Sequence, residues 1–300
     1  LIKKKIKPFV NKIFVTSDKS LSIRCVLLAS IAIGTSKIEN LLESEDVLNT
    51  LRAIKRLGIK YKKKKKNYII YGSGLNGFAT NSSLVLDAGN SGTLARLILG
   101  LLAKTKSRIK IIGDKSLSKR DFSRVVNPLK NFGINIKSNN GFLPVKTYGG
   151  EFLRPIYYEE NIGSAQCKSA ILLAALNTAG ITKIKAKKSR NHTELLCKYL
   201  KLPVIVNNGN NYDEIKIKKV NYIKPLNYNI PSDISSSAFF IVLTVLMDNS
   251  ELIIRNVNVN SSRTGIITIL RKMGVKIIFK NRKIYKGEKN ADIKIFSPKV

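Results

Sequence analysis

Four turns in this sequence combine hydroxyls, glycines and cations in a way suited to holding anions. SDKSLSIRCVLLAS, from Ser17, carries Lys19, Ser20 and Arg24. GNSGTLARLILGLLA, from Gly89, carries Asn90, Gly92, Thr93 and Arg96. GSAQCKSAILLAAL, from Gly163, carries Ser164, Ala165, Gln166 and Lys168, and SDISSSAFFIVLTVL begins at Ser232. In each, a polar turn runs directly into an apolar, helix-like stretch. A helix N-terminus presents unbonded N–H groups and a partial positive charge, so it is a ready anion site. Ser and Thr add hydroxyl donors there, and Gly permits close approach of the backbone. One such turn signifies only a helix cap. Several in register imply a substrate with more than one phosphate or carboxylate.

The elements that must position these turns repeat with them. The turns recur at roughly 70-residue intervals, a period that marks repeated supersecondary units. After each comes a strand-like run: SKIENL at Ser36, SRIKII at Ser107, TKIKAK at Thr182 and SELIIRNV at Ser250. An amphipathic helix follows, ending at Gly58, Gly133 and Gly274 in the left-handed cap glycine favours. In the third unit Lys201 to Pro203 replace that glycine, and Pro203 stops the helix. Each unit therefore reads turn, helix, strand, helix, strand, strand. Such a unit needs neighbours to cover its faces. Three would close into one domain, and the fourth begins another near Pro231, after KPLNYNIPSD.

Composition narrows the function classes. Lys and Arg number 54 against 19 Asp and Glu, a net charge of +35, yet 44% of the 300 residues are hydrophobic. That excludes a disordered basic tail. Lysine is spread throughout, as in KKKKKNYII, aromatics are 7% and Trp is absent, so nucleic-acid binding is not expected. A single histidine, His192, excludes sites needing several imidazoles. Cys25, Cys167 and Cys197 are scattered without a CxxC, which supports neither a zinc site nor a disulfide framework. No apolar stretch approaches the ~20 residues of a membrane span and no signal peptide is evident, so a soluble, cytoplasmic chain is expected.

Seven strings, in order, resemble the enolpyruvyl transferase family of 3-phosphoshikimate 1-carboxyvinyltransferase, or 5-enolpyruvylshikimate-3-phosphate synthase, of the shikimate pathway to aromatic amino acids. They are SDKSLSIR, LDAGNSGTLARL, GDKSLSKRDFSRVVNPL, IGSAQCKSAILLA, KSRNHTE, IPSDISSSAFF and NSSRTG. The resemblance implies an α/β fold, an inside-out α/β barrel of six such units in two domains, of which four are present. It implies a complete three-unit domain over 17–229 and an incomplete second domain over 1–16 plus 230–300. It implies a transferase acting on shikimate 3-phosphate and phosphoenolpyruvate in a cleft between domains, with no metal or organic cofactor, as a monomer. By motif, Lys19 matches a catalytic lysine shared by both substrates. Ser20, Arg24, Ser164, Ala165, Gln166 and Arg190 match shikimate 3-phosphate contacts. Asn90, Gly92, Thr93 and Arg120 match the phosphoenolpyruvate site, with Gln166 also near it. His192 falls in that motif as framework.

Some positions depart from the family pattern. Thr16 and Ser17 replace a Pro-Gly pair, Ser232 replaces a Gly, and Asp121 stands where a Pro follows the arginine. An acid beside Arg120 is expected to weaken its hold on phosphate. The family continues for two more units past ADIKIF, with an aspartate base and further cations, and without them the fourth unit's apolar faces are expected to need cover. Two alternatives stay open at this stage: a catalytically inactive remnant or basic anion- or nucleic-acid-binding protein, and the related UDP-N-acetylglucosamine enolpyruvyl transferase. The latter is disfavoured because its reactive-loop cysteine has no evident counterpart.

Overall fold

The computed structural model describes residues 6–79 and 83–297. Residues 1–5 and 298–300 of the expected second domain lie outside them. The chain divides into two compact units, one from Lys19 to Asn229 and one combining residues up to Asp18 with those from Ile230 onward.

Each repeat folds as helix, strand, helix, hairpin, and each owns a four-stranded sheet. After β1 (Val10–Ile13), the first comprises α1 (Lys19–Ser30), β2 (Ile33–Glu39), α2 (Glu45–Arg56), β3 (Lys60–Lys64) and β4 (Asn67–Ser73). The second comprises β5 (Ser83–Asp87), α3 (Gly92–Leu101), β6 (Arg108–Ile112), α4 (Lys115–Ser118), α5 (Ser123–Asn131), β7 (Ile136–Asn139) and β8 (Phe142–Thr147). The third runs through β9 (Tyr157–Glu160), α6 (Ala165–Ala175), β10 (Ile181–Lys187), α7 (His192–Tyr199), β11 (Val204–Asn208) and β12 (Tyr212–Lys218), followed by β13 (Asn227–Asn229). The fourth holds α8 (Ile234–Leu246), β14 (Glu251–Asn258), α9 (Gly265–Lys272), β15 (Ile277–Tyr285) and β16 (Glu288–Phe296).

The sheet orders are β13-β2-β4-β3, β5-β6-β8-β7, β9-β10-β12-β11 and β1-β14-β16-β15. In every sheet the first pair is parallel and the others antiparallel. This parallel edge strand is absent from the sequence reading of the unit. In the second and third repeats it immediately precedes the helix. In the first it is β13, delivered after the third repeat, and in the fourth it is β1, delivered at the start of the chain.

Helices that are apolar on all sides belong inside a protein. In the Lys19–Asn229 unit, α1 buries eleven of its twelve residues, and α3 and α6 are nearly as enclosed. The sheets lie outside them, with cationic outer faces such as Lys183, Lys185 and Lys187 on β10. The second helices end as their sequences require. Gly58, Gly133 and Gly274 have φ of 88°, 92° and 85°, and in the third repeat Lys201 itself takes the left-handed turn at 56°.

In the other unit, α8 packs on β14 and β16 through Ile234 and Ile241, over a core of Leu252, Ile254, Ile293 and Ile295. Its opposite stripe, Phe239, Phe240, Val242 and Leu246, faces solvent, with Phe239 79% and Leu246 76% exposed. Asp233 caps α8 through the Ser235 N–H and also receives Arg263 at 2.7 Å. The same guanidinium holds the buried Asp18.

Candidate active site

The candidate residues all fall in the Lys19–Asn229 unit, at the N-terminal ends of α1, α3 and α6 and in the turns around them. At α1, Arg24 is buried, 4% exposed, and its orientation is set by hydroxyls. Its Nε donates to Thr193 Oγ1 at 2.9 Å, one Nη to Ser169 Oγ at 3.3 Å and the other to the Ser20 carbonyl at 3.1 Å. Ser169 and Thr193 are themselves bonded at 2.7 Å. Arg190 Nη1 donates to Ser20 Oγ at 3.4 Å, so Ser20, Arg24 and Arg190 form one cluster. Lys19 is half exposed and ion-paired with Asp46 of α2 at 2.7 Å.

A second cluster surrounds the start of α3. Ser91 caps this helix through the Leu94 N–H, leaving Gly92 as its first residue. A Cβ at Gly92 would lie 2.8 Å from Arg96 Nη1 and 3.2 Å from Arg120 Nη1, so the absent side chain is what admits two guanidinium groups. Arg120 donates to Asn90 Oδ1 at 2.7 Å, and Asn90 donates in turn to Asp114 at 2.7 Å. Arg96 donates to Gln166 Oε1 at 2.9 Å, and Gln166 Nε2 to Thr93 Oγ1 at 2.9 Å. Gln166 thus ties the α6 turn to the α3 turn and completes the cluster with Asn90, Gly92, Thr93 and Arg120.

At α6, Ser164 caps the helix through the Cys167 N–H, and the carbonyl of Ala165 accepts from Ser169 Oγ at 2.6 Å. The turn is held by Glu160, 2% exposed, which accepts from the N–H groups of Gly163 at 2.6 Å and Ser164 at 2.8 Å and from Arg124 at 3.1 Å. Nearby, Lys168 and Glu194 form an ion pair of 2.6 Å, 0% and 4% exposed, between α6 and α7. His192 is fully buried as the first residue of α7.

Cationic charge predominates. Burial pushes the Arg96 guanidinium below its ordinary value, and the neighbouring Arg120 and Arg124 add to that while Cys167 and Asp121 oppose it. Crowded cations at helix N-termini make a site whose charge is best balanced by a bound anion. Among the described residues, Asp121 makes its hydrogen bonds with partners other than Arg120. Its carboxylate accepts from the Ser123 N–H at 2.7 Å, its carbonyl accepts from Arg96, and the Ser123 hydrogen bond holds its pKa below the usual carboxylate range. Arg120 turns instead to Asn90.

Several residues that shape the site have no role in the sequence reading. Arg96 is visible there only as a cation at a helix start. Asp46, Asp114, Glu160, Ser169 and Thr193 act through tertiary contacts, which spacing does not encode.

Comparisons with known proteins identify the family. A family model described as EPSP synthase (3-phosphoshikimate 1-carboxyvinyltransferase) matches residues 3–297. A protein of that name from Vesicomyosocius okutanii is 42% identical over 287 residues, covering 95% of this chain, and one from Streptococcus pyogenes is 40% identical over 277 residues, covering 91%. The solved EPSP synthase of Acinetobacter baumannii superimposes with a TM-score of 0.88 at 36% identity, over 97% of this chain and 65% of its own. The chain spans 65% and 64% of the length of the two curated relatives. With the same repeated inside-out α/β architecture and a match along nearly its whole length, the chain belongs to the EPSP synthase family.

Proposed function

We propose that this chain takes part in transferring the enolpyruvyl group of phosphoenolpyruvate to the 5-hydroxyl of shikimate 3-phosphate. The hydroxyl oxygen gives up its proton and bonds to C2 as the methylene carbon gains a proton. The tetrahedral adduct then loses phosphate and a methyl proton, restoring the double bond. Ser20, Arg24, Ser164, Ala165, Gln166 and Arg190 hold shikimate 3-phosphate, while Asn90, Gly92, Thr93, Arg120 and Gln166 hold phosphoenolpyruvate. Lys19 reaches both and stabilises developing negative charge once an anion competes with Asp46 for it.

The observation that carries this reading is Gln166, which bonds Thr93 and Arg96 at 2.9 Å each from the first turn of α6. It joins two helix N-termini, each suited to a separate anion. Two tests apply. Saturating shikimate 3-phosphate, at about 100 times its Kd, stabilises the Lys19–Asn229 unit by about 2.7 kcal/mol, and Arg24→Met abolishes that stabilisation. Phosphate is released from the two substrates together by this protein and not by its Lys19→Met variant. Absence of both effects overturns the reading.

A further inference from the structure

Away from these residues, the outer face of the β5-β6-β8-β7 sheet holds a cavity of about 620 Å³, a volume within the range of small-molecule sites. Arg108, Lys110, Lys130, Lys137 and Lys146 line it, no carboxylate does, and none of its lining residues belongs to the candidate active site.

The strand register concentrates this charge. Lys110 of β6 lies opposite Lys146 of β8, which lies opposite Lys137 of β7, with Val85 of β5 beside Lys110. Three lysines therefore share one rung across strands spaced ~4.8 Å apart, and like charges directly opposite destabilise a sheet. Among the described residues, none of the five cations enters an ion pair. At two places in other sheets lysines are answered locally. The matching rung of the third sheet sets Lys185 between Glu159 and Glu214, and in the fourth Lys294 pairs with Glu251 at 2.6 Å.

A cavity lined by one sign of charge focuses its potential on a counter-ion. The lining also includes Tyr148, 49% exposed, and Val85, 37% exposed, while Ile134 and Ile136 are buried beneath. Tyr148 lies two residues past Lys146 on the same strand face, and its ring offers a surface that a bare phosphate would leave unused and a planar base would cover.

We propose that this groove binds a nucleoside triphosphate, with the phosphates along the Lys110, Lys146 and Lys137 rung and the base against Tyr148. The test is titration of the chain with fluorescently labelled ATP at low salt, with thermal melting confirming that each variant folds. Saturable binding is expected, weakened about 10-fold or more in Lys110→Gln/Lys146→Gln by loss of two charged contacts, and several-fold in Tyr148→Ala, with tripolyphosphate competing less well than ATP. The control is Lys183→Gln/Lys216→Gln, which removes an equal charge from a facing pair in the third sheet and leaves affinity unchanged. An equal loss in that control would reduce the effect to diffuse lysine charge. Equal competition by tripolyphosphate with Tyr148→Ala silent, stronger binding of a single-stranded oligonucleotide insensitive to the rung variant, or no saturable binding would also overturn the proposal.

Discussion

Replacing Gly92 with Ala separates the needs of the fold from those of the anion site. Gly92 opens α3 and does not occupy the left-handed region, so alanine can adopt its backbone. The new Cβ would meet Arg96 Nη1 at 2.8 Å and Arg120 Nη1 at 3.2 Å, while Leu117 Cδ1, at 3.5 Å, is in ordinary contact. Both close contacts are the tips of long side chains, which can retreat. Relieving the first requires a shift of about 0.6 Å or more. Directed away from Gln166, that shift stretches the 2.9 Å hydrogen bond from Arg96 towards its limit. Stretching that bond without breaking it forfeits part of the roughly 1.5–3 kcal/mol of a charged hydrogen bond, about 1 kcal/mol, offset by about 0.4–1 kcal/mol from reduced freedom of the unfolded chain. The melting temperature should therefore move by no more than about 4 °C. Binding of phosphoenolpyruvate should suffer far more, because one displaced charge-assisted contact is worth about 1.5–3 kcal/mol, roughly a 10- to 100-fold weakening. The chain has no Trp, so calorimetric titration in the presence of shikimate 3-phosphate is the suitable assay. An affinity within twofold of the parent, or a melting temperature many degrees lower, would refute the reasoning.

Two further predictions concern the same unit. Lys168→Met leaves Glu194 charged and buried, so its denaturant midpoint should fall by the equivalent of about 3–5 kcal/mol, and Lys168→Met/Glu194→Leu should recover most of the loss; a single variant within ~1 kcal/mol of the parent contradicts this. Burial, aided by the charge of Glu194, pushes the Cys197 thiol up to about 12, so the folded state keeps it neutral and gains stability that is complete below pH ~9 and lost as pH rises towards 12. Denaturation at pH 8 and 10.5 should give a shallower alkaline loss for Cys197→Ala than for the parent, and identical slopes would exclude the thiol as a cause.

Legibility in the sequence followed the range of the interactions. Local signals sufficed for the helix starts, the glycines ending α2, α5 and α9, and the repeat itself, because turn chemistry and apolar periodicity act within a few residues. Lys201 taking a left-handed turn is the same local logic met by a different residue. Strings in order were enough for the family and its fold class. Hidden were the parallel edge strands, which are short and, for β1 and β13, come from parts of the chain far from the sheets they join. Hidden too were the partners that orient the cations. Arg24 depends on Ser169 and Thr193, well over a hundred residues away, and the Asp121 carboxylate accepts from the first N–H of α5, a contact its position beside Arg120 does not announce.

The placement of β1 and β13 also orders events during synthesis. Lys37 of β2 pairs with Asn227, and Val10 of β1 with Glu251. As the chain leaves the ribosome, β1 has no sheet to join until β14, some 240 residues later, has been made. The first repeat likewise keeps an unfinished edge while the second and third, whose edge strands precede their own helices, can complete themselves. Non-local strand pairing is slow because a long loop must close before any contact rewards it. The repeat encoded first is therefore among the last to be sealed, and until β13 arrives its open strand β2 offers unpaired N–H and C=O groups to any neighbouring chain.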